Sequence, residues 1–174
     1  MRLYKFIIII LLGFTSPLYG YDSAHIKSQL KPEKGDLFKS LVIDIVDGDT
    51  IILENNTTVR LVGIQAPKIA LNRKNFKEWP LGYEAKDALR DLTMNKSVLL
   101  YYGGRKLDRY GRALAPLFLE DGTWVQGEML KQGMARVYSF SDNRSIVDDM
   151  MKEEKEARLK NTGIWSLDYY KIKP

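Results

Sequence analysis

The chain of 174 residues falls in the size range of one domain, and its 45% hydrophobic and 28% charged residues argue against wholesale disorder. It contains no cysteine and one histidine, His25, in a polar stretch. This excludes disulfides and Cys-based metal sites, and it argues against a Ser-His-Asp triad or a His-rich metal site. The net charge of +5 is compatible with a polyanionic partner without requiring one.

The first twenty residues predict a secretory signal peptide. Arg2 and Lys5 precede the apolar run Phe6–Phe14, and small residues lead from there to Gly20. The apolar run is shorter than the roughly 20 residues of a comfortable membrane span. An uncleaved anchor is the alternative. We therefore expect export, to the periplasm or outside the cell, and assign residues 1–20 to the signal peptide.

The remaining chain predicts a polar linker over 21–37, a folded domain over 38–168 and a C-terminal tail over 169–174. The domain begins with β-branched runs, and tight turns at Asp47–Thr50 and Asn55-Asn56 separate them. These runs predict an antiparallel meander of three strands: Leu41–Val46, Ile51–Leu53 and Thr57–Ile64.

Helices and strands alternate in the second half. Apolar residues at helical spacing predict a helix over Gly82–Met94. Further strands are predicted at Ser97–Tyr102 and Arg112–Leu119, and further helices at Val125–Gln132 and Arg144–Lys160, the last capped by Asp142 or Asn143. We expect Ile164 and Trp165 to pack back on the barrel that these strands form. This order predicts an α+β, mostly β fold: a five-stranded OB-type barrel with about three helices.

The Asp47-Gly48-Asp49-Thr50 turn is the first element that could carry chemistry. Two carboxylates held this way can supply the oxygen ligands that calcium prefers. Asp-Gly is also a common hairpin turn, so the tetrapeptide alone leaves both interpretations open.

Two arginines follow in ordered contexts. Arg60 begins Arg-Leu-Val-Gly-Ile-Gln-Ala-Pro-Lys, and Arg112 ends Asp108-Arg-Tyr-Gly-Arg. A guanidinium is a planar, permanently charged fork that matches phosphate oxygens. Two of them facing a metal-holding turn would stabilise the charge that builds up in phosphodiester cleavage. Either arginine alone could equally form a surface ion pair.

The order of these motifs, with Gly-Ile-Trp after a charged helix, resembles the staphylococcal nuclease (thermonuclease) family. The resemblance covers roughly Ser40–Ser166 and includes Gly82-Tyr-Glu-Ala and the V-x-x-x-x-L-x-x-G-x-A pattern from Val125 to Ala135. Members are calcium-dependent phosphodiesterases on an OB barrel that cut DNA and RNA. The resemblance therefore implies a hydrolase of the endonuclease type, with nucleic acid as partner. We expect a monomer.

The resemblance also implies roles for individual residues. Asp49 would bind the metal, Asp47 would be an outer carboxylate, and Arg60 and Arg112 would grip the scissile phosphate. Tyr110 would line the nucleotide pocket, and by a looser alignment so would Tyr138 or Phe140. Lys68 and Arg109 are our further candidates for substrate binding.

Two positions depart from the family motif, which normally ends in Asp-x-Pro-Glu. Gln65 replaces a second metal-binding carboxylate and offers only an amide oxygen as ligand. Lys68 replaces the carboxylate that orients or deprotonates the attacking water. Both changes should lower calcium affinity, and the loss of a general base costs about 10²–10⁴ in rate.

Three interpretations follow. The first, which we favour because the turn and both arginines persist together, is a divergent phosphodiesterase with altered or reduced catalysis, in which Glu84 could replace the base. The second is a non-catalytic nucleic-acid or nucleotide-binding module that uses the Lys68–Lys77 loop and the Arg105–Arg112 arm. The third is a protein-contact scaffold.

Overall fold

The computed structural model describes residues 21–30, 37–102, 105–138 and 145–171, so the predicted signal peptide lies outside the described residues. The α+β class is confirmed. The strands are β1 (Leu37–Asp47), β2 (Thr50–Leu53), β3 (Thr58–Leu61), β4 (Ile64–Gln65), β5 (Ser97–Tyr101), β6 (Ala113–Ala115), β7 (Leu117–Leu119) and β8 (Arg136–Val137). The helices are α1 (Ser23–Leu30), α2 (Gly82–Thr93), α3 (Val125–Lys131), α4 (Val147–Leu159) and α5 (Asp168–Lys171), with a 3-10 turn at Gly163–Ser166.

The predicted three-strand meander is confirmed: β1 pairs antiparallel with β2, and β2 with β3. β1 is longer than predicted because its first half has a different partner. Leu37–Leu41 pairs with β5, whereas Val42–Asp47 pairs with β2. A register irregularity between Val42 and Asp44 accompanies the change of partner. β1 therefore joins the two halves of the sheet.

The main sheet has six strands in the order β6-β3-β2-β1-β5-β7. Its two edge strands, β6 and β7, are separated in the chain only by Pro116. One residue advances a chain by at most ~3.6 Å, so the sheet must curl until its edges meet. This curled sheet fits the OB-like fold. Proline has no N–H for a strand ladder, so the single strand predicted over Arg112–Leu119 divides at this point. The predicted strand Thr57–Ile64 divides into β3 and β4, and β4 pairs with β8 in a second sheet, so eight strands stand where five were predicted.

The predicted linker contains helix α1, which sequence reasoning missed. Ile26 is fully buried, and the hydroxyl of Tyr21 accepts the backbone N–H of Trp124 at 2.8 Å. The ammonium of Lys27 lies 4.8 Å from the ring centre of Phe118. The eight-residue helix has too few apolar residues to show a helical period in the sequence. It is recognised from its contacts with distant residues and not from a local pattern.

Ile164 and Trp165 pack differently from the prediction. They form a second apolar cluster with Ala157 of α4 and Tyr170 of α5, bordered by Trp79 and Leu81, rather than joining the core of the sheet. Tyr170 also donates its hydroxyl to the carbonyl of Pro80 at 2.5 Å. Part of the predicted tail is thus folded. The proposed caps of α4, Asp142 and Asn143, lie outside the described residues, and the helix begins at Val147.

Among the helices in the described ranges, none has the combined length and apolar character needed to cross a membrane.

Glu153 of α4 is a buried acid with an unsatisfied oxygen: it is 2% exposed, and its Oε2 has no hydrogen-bond partner among the described residues. Burial raises the pKa of Glu153, and the nearby Glu156 adds to the effect. An acid whose pKa is higher in the folded state stabilises the fold while protonated, and that contribution is lost as the pH rises through its folded pKa.

We expect Glu153→Gln to raise the free energy of unfolding by about 1 kcal/mol at pH 8, and by less at pH 5, in urea denaturation. The exposed Glu120→Gln is the control, and an equal change in both variants would contradict the prediction.

Candidate functional site

The β1–β2 turn is buried rather than an exposed hairpin tip. Asp47 and Asp49 are 6% and 0% exposed, and the Asp47 Oδ1 accepts the N–H of Asp49 at 3.1 Å. A Cβ at Gly48 would lie 2.7 Å from the Cβ of Ala66 and 2.8 Å from that of Ala85. Glycine therefore lets the turn press against α2 and the segment after β4. The fold holds both carboxylates at a fixed place.

The carboxylate of Asp49 is saturated with donors. Its Oδ2 accepts the N–H of Ala66 at 2.8 Å and lies 3.2 Å from the Nη2 of Arg60. Its Oδ1 accepts the hydroxyl of Thr50 at 3.2 Å. Lys68 adds its ammonium to both oxygens, at 2.9 Å from Oδ1 and 2.7 Å from Oδ2. Any further ligand of Asp49 must displace one of these groups.

Lys68 lies between the two acids. Its Nζ is also 3.5 Å from the Oδ2 of Asp47, and its side chain is 21% exposed. The sequence predicted a positive charge somewhere near the acids. In the structure that charge is paired with them directly.

Arg60 is a largely buried side chain, 12% exposed, whose guanidinium is tied to the backbone as well as to Asp49. It donates to the carbonyls of Leu61 at 2.5 Å and Ile64 at 2.6 Å. These contacts fix the segment that carries Ala66 and Lys68. The role of Arg60 toward a phosphate stays a prediction.

The pKa values of the two aspartates move in opposite directions. Burial raises the pKa of Asp47, and the charge of Asp49 raises it further. Burial also acts to raise the pKa of Asp49, but the guanidinium of Arg60 and the ammonium of Lys68 outweigh it and lower the pKa. Asp49 is therefore the acid of the pair that keeps its negative charge to the lower pH, next to the two cations.

Gln65 is engaged by Arg136, a residue that sequence reasoning missed. The amide oxygen of Gln65 accepts from the Nε of Arg136 at 3.1 Å and from its Nη2 at 2.8 Å. The pairing of β4 with β8 brings the two residues together. The strand signal at Arg136–Val137 is two residues long, so nothing local in the sequence indicates this contact.

The residues at the turn do not fit a divalent cation. The position in front of both Asp49 oxygens holds the ammonium of Lys68, and the oxygen of Gln65 faces Arg136. No group of three or more Asp, Glu, His or Cys side chains that could hold a metal occurs within the described residues. The predicted calcium site is therefore not supported by the donors present.

The Asp108–Arg112 arm is preorganised and partly open to solvent. Asp108 accepts from the Nε of Arg112 at 2.7 Å, and its other oxygen accepts the N–H groups of Tyr110 and Arg112 at 2.8 and 3.0 Å. The Arg112 side chain remains 33% exposed. β3 pairs parallel with β6, and Arg60 lies opposite Leu114. Arg112 lies two residues before Leu114 and is therefore close to Arg60 along the neighbouring strand. The arm and the aspartate turn thus flank the same strand.

The other predicted site residues lie at the surface. Tyr110 is 69% exposed and receives a hydrogen bond on its hydroxyl from Arg109 at 2.6 Å. Tyr138 is 42% exposed and follows β8, where its N–H donates to the carbonyl of Gly63 at 2.8 Å. Glu84 is exposed in the first turn of α2. Phe140 lies outside the described residues.

Comparison with known sequences decides the family. The family described as Staphylococcal nuclease homologue matches residues 58–167, which is more than half of the chain. The chain belongs to the staphylococcal nuclease family. Members of the staphylococcal nuclease family use divalent cations, whereas in this chain the ammonium of Lys68 lies at the oxygens of Asp49.

Three similar proteins carry nuclease names. The thermonuclease of Staphylococcus hyicus is 30% identical over 128 residues, which cover 72% of this chain and 74% of that protein. Endonuclease YncB of Bacillus subtilis is 33% identical over 130 residues, 72% of this chain and 60% of YncB. The SPbeta prophage-derived endonuclease YokF of the same species is 35% identical over 130 residues, but they cover only 43% of YokF. These relatives support nuclease-like activity at the level of the family.

Proposed function

We propose that this protein acts on nucleic acid through the phosphodiester backbone, as a thermonuclease-like protein in which cleavage is strongly reduced. The observation that carries the proposal is the contact of Lys68 with both Asp47 and Asp49, beside a partly open arginine arm. The same contact favours, as the second candidate, a module that binds nucleic acid without turnover.

Binding is supported by the groups that remain accessible. Asp108 holds the guanidinium of Arg112 in place, which reduces the entropy lost when a phosphate is bound. The exposed ring of Tyr110 lies under the guanidinium groups of Arg109 and Arg112 at 4.8 and 5.5 Å and offers a face for a base. These residues combine a phosphate contact with a stacking contact.

The loop after Lys68 adds positive charge. Arg73 is fixed by donating to the carbonyls of Ile69 at 2.7 Å and Ala70 at 2.9 Å, and it lies 3.8 Å from the ring centre of Phe76. Lys74 and Lys77 are exposed in the same loop. Such cations give sequence-independent contacts to the backbone of nucleic acid.

Reduced cleavage follows from the donors around the site. A general base must accept a proton, and an ammonium that is paired with two carboxylates cannot do so. The amide oxygen of Gln65 is already used by Arg136. Loss of the base alone predicts a rate about 10²–10⁴ below that of a member with the complete motif.

Arg112→Ala is expected to weaken binding of a fluorescent single-stranded oligonucleotide about tenfold, because it removes a preorganised phosphate contact. Fluorescence anisotropy over a series of salt concentrations measures the binding, and the logarithm of the affinity should fall linearly with the logarithm of the salt concentration. Arg90→Ala on α2, where the arginine side chain is 42% exposed, is the matched control and should bind as the unchanged protein does. Absent or salt-independent binding would refute the proposal and leave the scaffold interpretation. Cleavage as fast as that of a thermonuclease assayed in parallel would refute reduced catalysis.

A further inference from the structure

We infer that the ammonium of Lys68 replaces the divalent cation at Asp49. The folded site then needs no metal ion, either for its stability or for binding nucleic acid. The part of this inference that concerns nucleic acid rests on the proposed function. The part that concerns the cation does not.

The first step is positional. The ammonium of Lys68 lies 2.9 and 2.7 Å from the two oxygens of Asp49, in front of the carboxylate fork. A calcium ion bound to the same fork would lie at about 2.3–2.6 Å from those oxygens. The two positions overlap, and a metal and the Lys68 ammonium therefore exclude one another at Asp49.

The second step concerns charge. The group formed by the buried Asp47 and Asp49 and the partly buried Arg60 and Lys68 carries two acidic and two basic side chains. A divalent cation added to this group would leave an unbalanced excess of positive charge, with Arg136 close by at Gln65. Unbalanced buried charge is costly, so the ammonium and not a metal is the cation that this set of side chains stabilises.

The third step is anchoring. The backbone carbonyl of Lys68 accepts the N–H of Trp79 at 2.8 Å, and a Cβ on Gly82 would approach that carbonyl to 3.3 Å. Pro67 precedes Lys68 and fixes its own φ angle. The ammonium is thus attached to a segment that is itself held, and no free ion has to be captured from solution. The replacement is intramolecular.

The experiment compares thermal melting of the protein in EDTA and in excess calcium, magnesium or manganese. The unchanged protein should show the same melting temperature in all four conditions, because an ion that does not bind cannot stabilise the fold. Calcium titration by isothermal calorimetry should show no binding. Stabilisation or binding by any of the three ions at the site, lost in Asp49→Asn, would overturn the inference.

Lys68→Met is the matching variant, because it keeps the length of the side chain and removes the charge. Its melting temperature in EDTA should fall by about 5–10 °C, and calcium should recover part of the loss. Lys155→Met, an exposed lysine on α4, should change neither value. A folded Lys68→Met protein with unchanged melting in EDTA would also overturn the inference. If that variant does not fold, the ion-insensitive melting of the unchanged protein still decides it.

Oligonucleotide binding supplies the second readout. The unchanged protein should bind a single-stranded DNA oligonucleotide equally in EDTA and in calcium. Lys68→Met should bind about tenfold more weakly in EDTA, since its acids repel phosphate, and calcium should restore binding. A calcium requirement in the unchanged protein would contradict the inference. Absence of oligonucleotide binding in every condition would refute the proposed function, whereas the melting data would still decide whether Lys68 replaces the metal.

Discussion

Calcium-dependent cleavage of single-stranded DNA is expected when Gln65→Asp and Lys68→Glu are combined in one protein. The double variant restores both acids of the family motif and removes the ammonium from the Asp49 oxygens. We expect its rate in calcium to exceed that of the unchanged protein by about 10²–10⁴, the usual contribution of a general base. A fluorescence-quenched oligonucleotide, with EDTA added in a parallel reaction, measures the rate.

Two further variants show whether the restored activity needs Gln65→Asp and the predicted phosphate contact of Arg112. Lys68→Glu alone removes the competing cation but leaves Gln65 on Arg136, so we expect weaker calcium dependence than in the double variant. Arg112→Ala in the double variant should suppress cleavage strongly. A folded double variant that neither binds calcium nor cuts would show that more than two acids separate this site from an active one.

Gly133→Ala is expected to lower the free energy of unfolding by about 3 kcal/mol or more. Gly133 has a φ of +65° directly after α3, and a Cβ there would lie 2.2 Å from the carbonyl oxygen of Thr162. Gly163 lies against it with a φ of +57°, and the N–H of Ile164 donates to the carbonyl of Gly133 at 2.8 Å. An added methyl group must therefore separate the ends of α3 and α4 while its residue also adopts an unfavourable φ.

Gly111→Ala separates those two effects. Gly111 has a φ of +78°, but a Cβ there would meet no atom within 4 Å. Its replacement should therefore lower the free energy of unfolding only by the cost of the unfavourable φ, about 1 kcal/mol. Urea denaturation of both variants gives the comparison. Equal losses of stability would show that the contact between Gly133 and Thr162 has no energetic weight.

Local patterns predicted the elements that have strong local signals. The β-branched runs on either side of the Asp47–Thr50 turn became β1 and β2, and the apolar spacing over Gly82–Met94 became α2 almost to its last residue. These signals depend on neighbouring residues, which the sequence displays directly. α1 was missed because its contacts are with residues far away in the chain: Lys27 lies over the ring of Phe118, and Tyr21, just before the helix, binds the N–H of Trp124.

The candidate site shows the same division. Gln65 and Lys68 could be recognised as departures because they lie at fixed spacing from Arg60. Their partners could not be predicted. Lys68 reaches Asp49 across 19 positions of the chain, and Gln65 meets Arg136 across 71 through the pairing of β4 with β8. Both contacts exist only in the folded chain. Sequence reasoning therefore found which residues had changed and missed what each replacement does.

Pro116 has a consequence for self-association. Strands at the border of an open sheet present unpaired backbone groups on which other chains can add, and such borders promote aggregation. Here the segment on both sides of Pro116 pairs with β3 on one side and with β5 on the other. Neither β3 nor β5 therefore has an unpaired edge there to which a strand of another molecule could add. Because the chain passes from β6 to β7 through Pro116 alone, one continuous segment covers both β3 and β5 and leaves neither strand open to pairing with another copy.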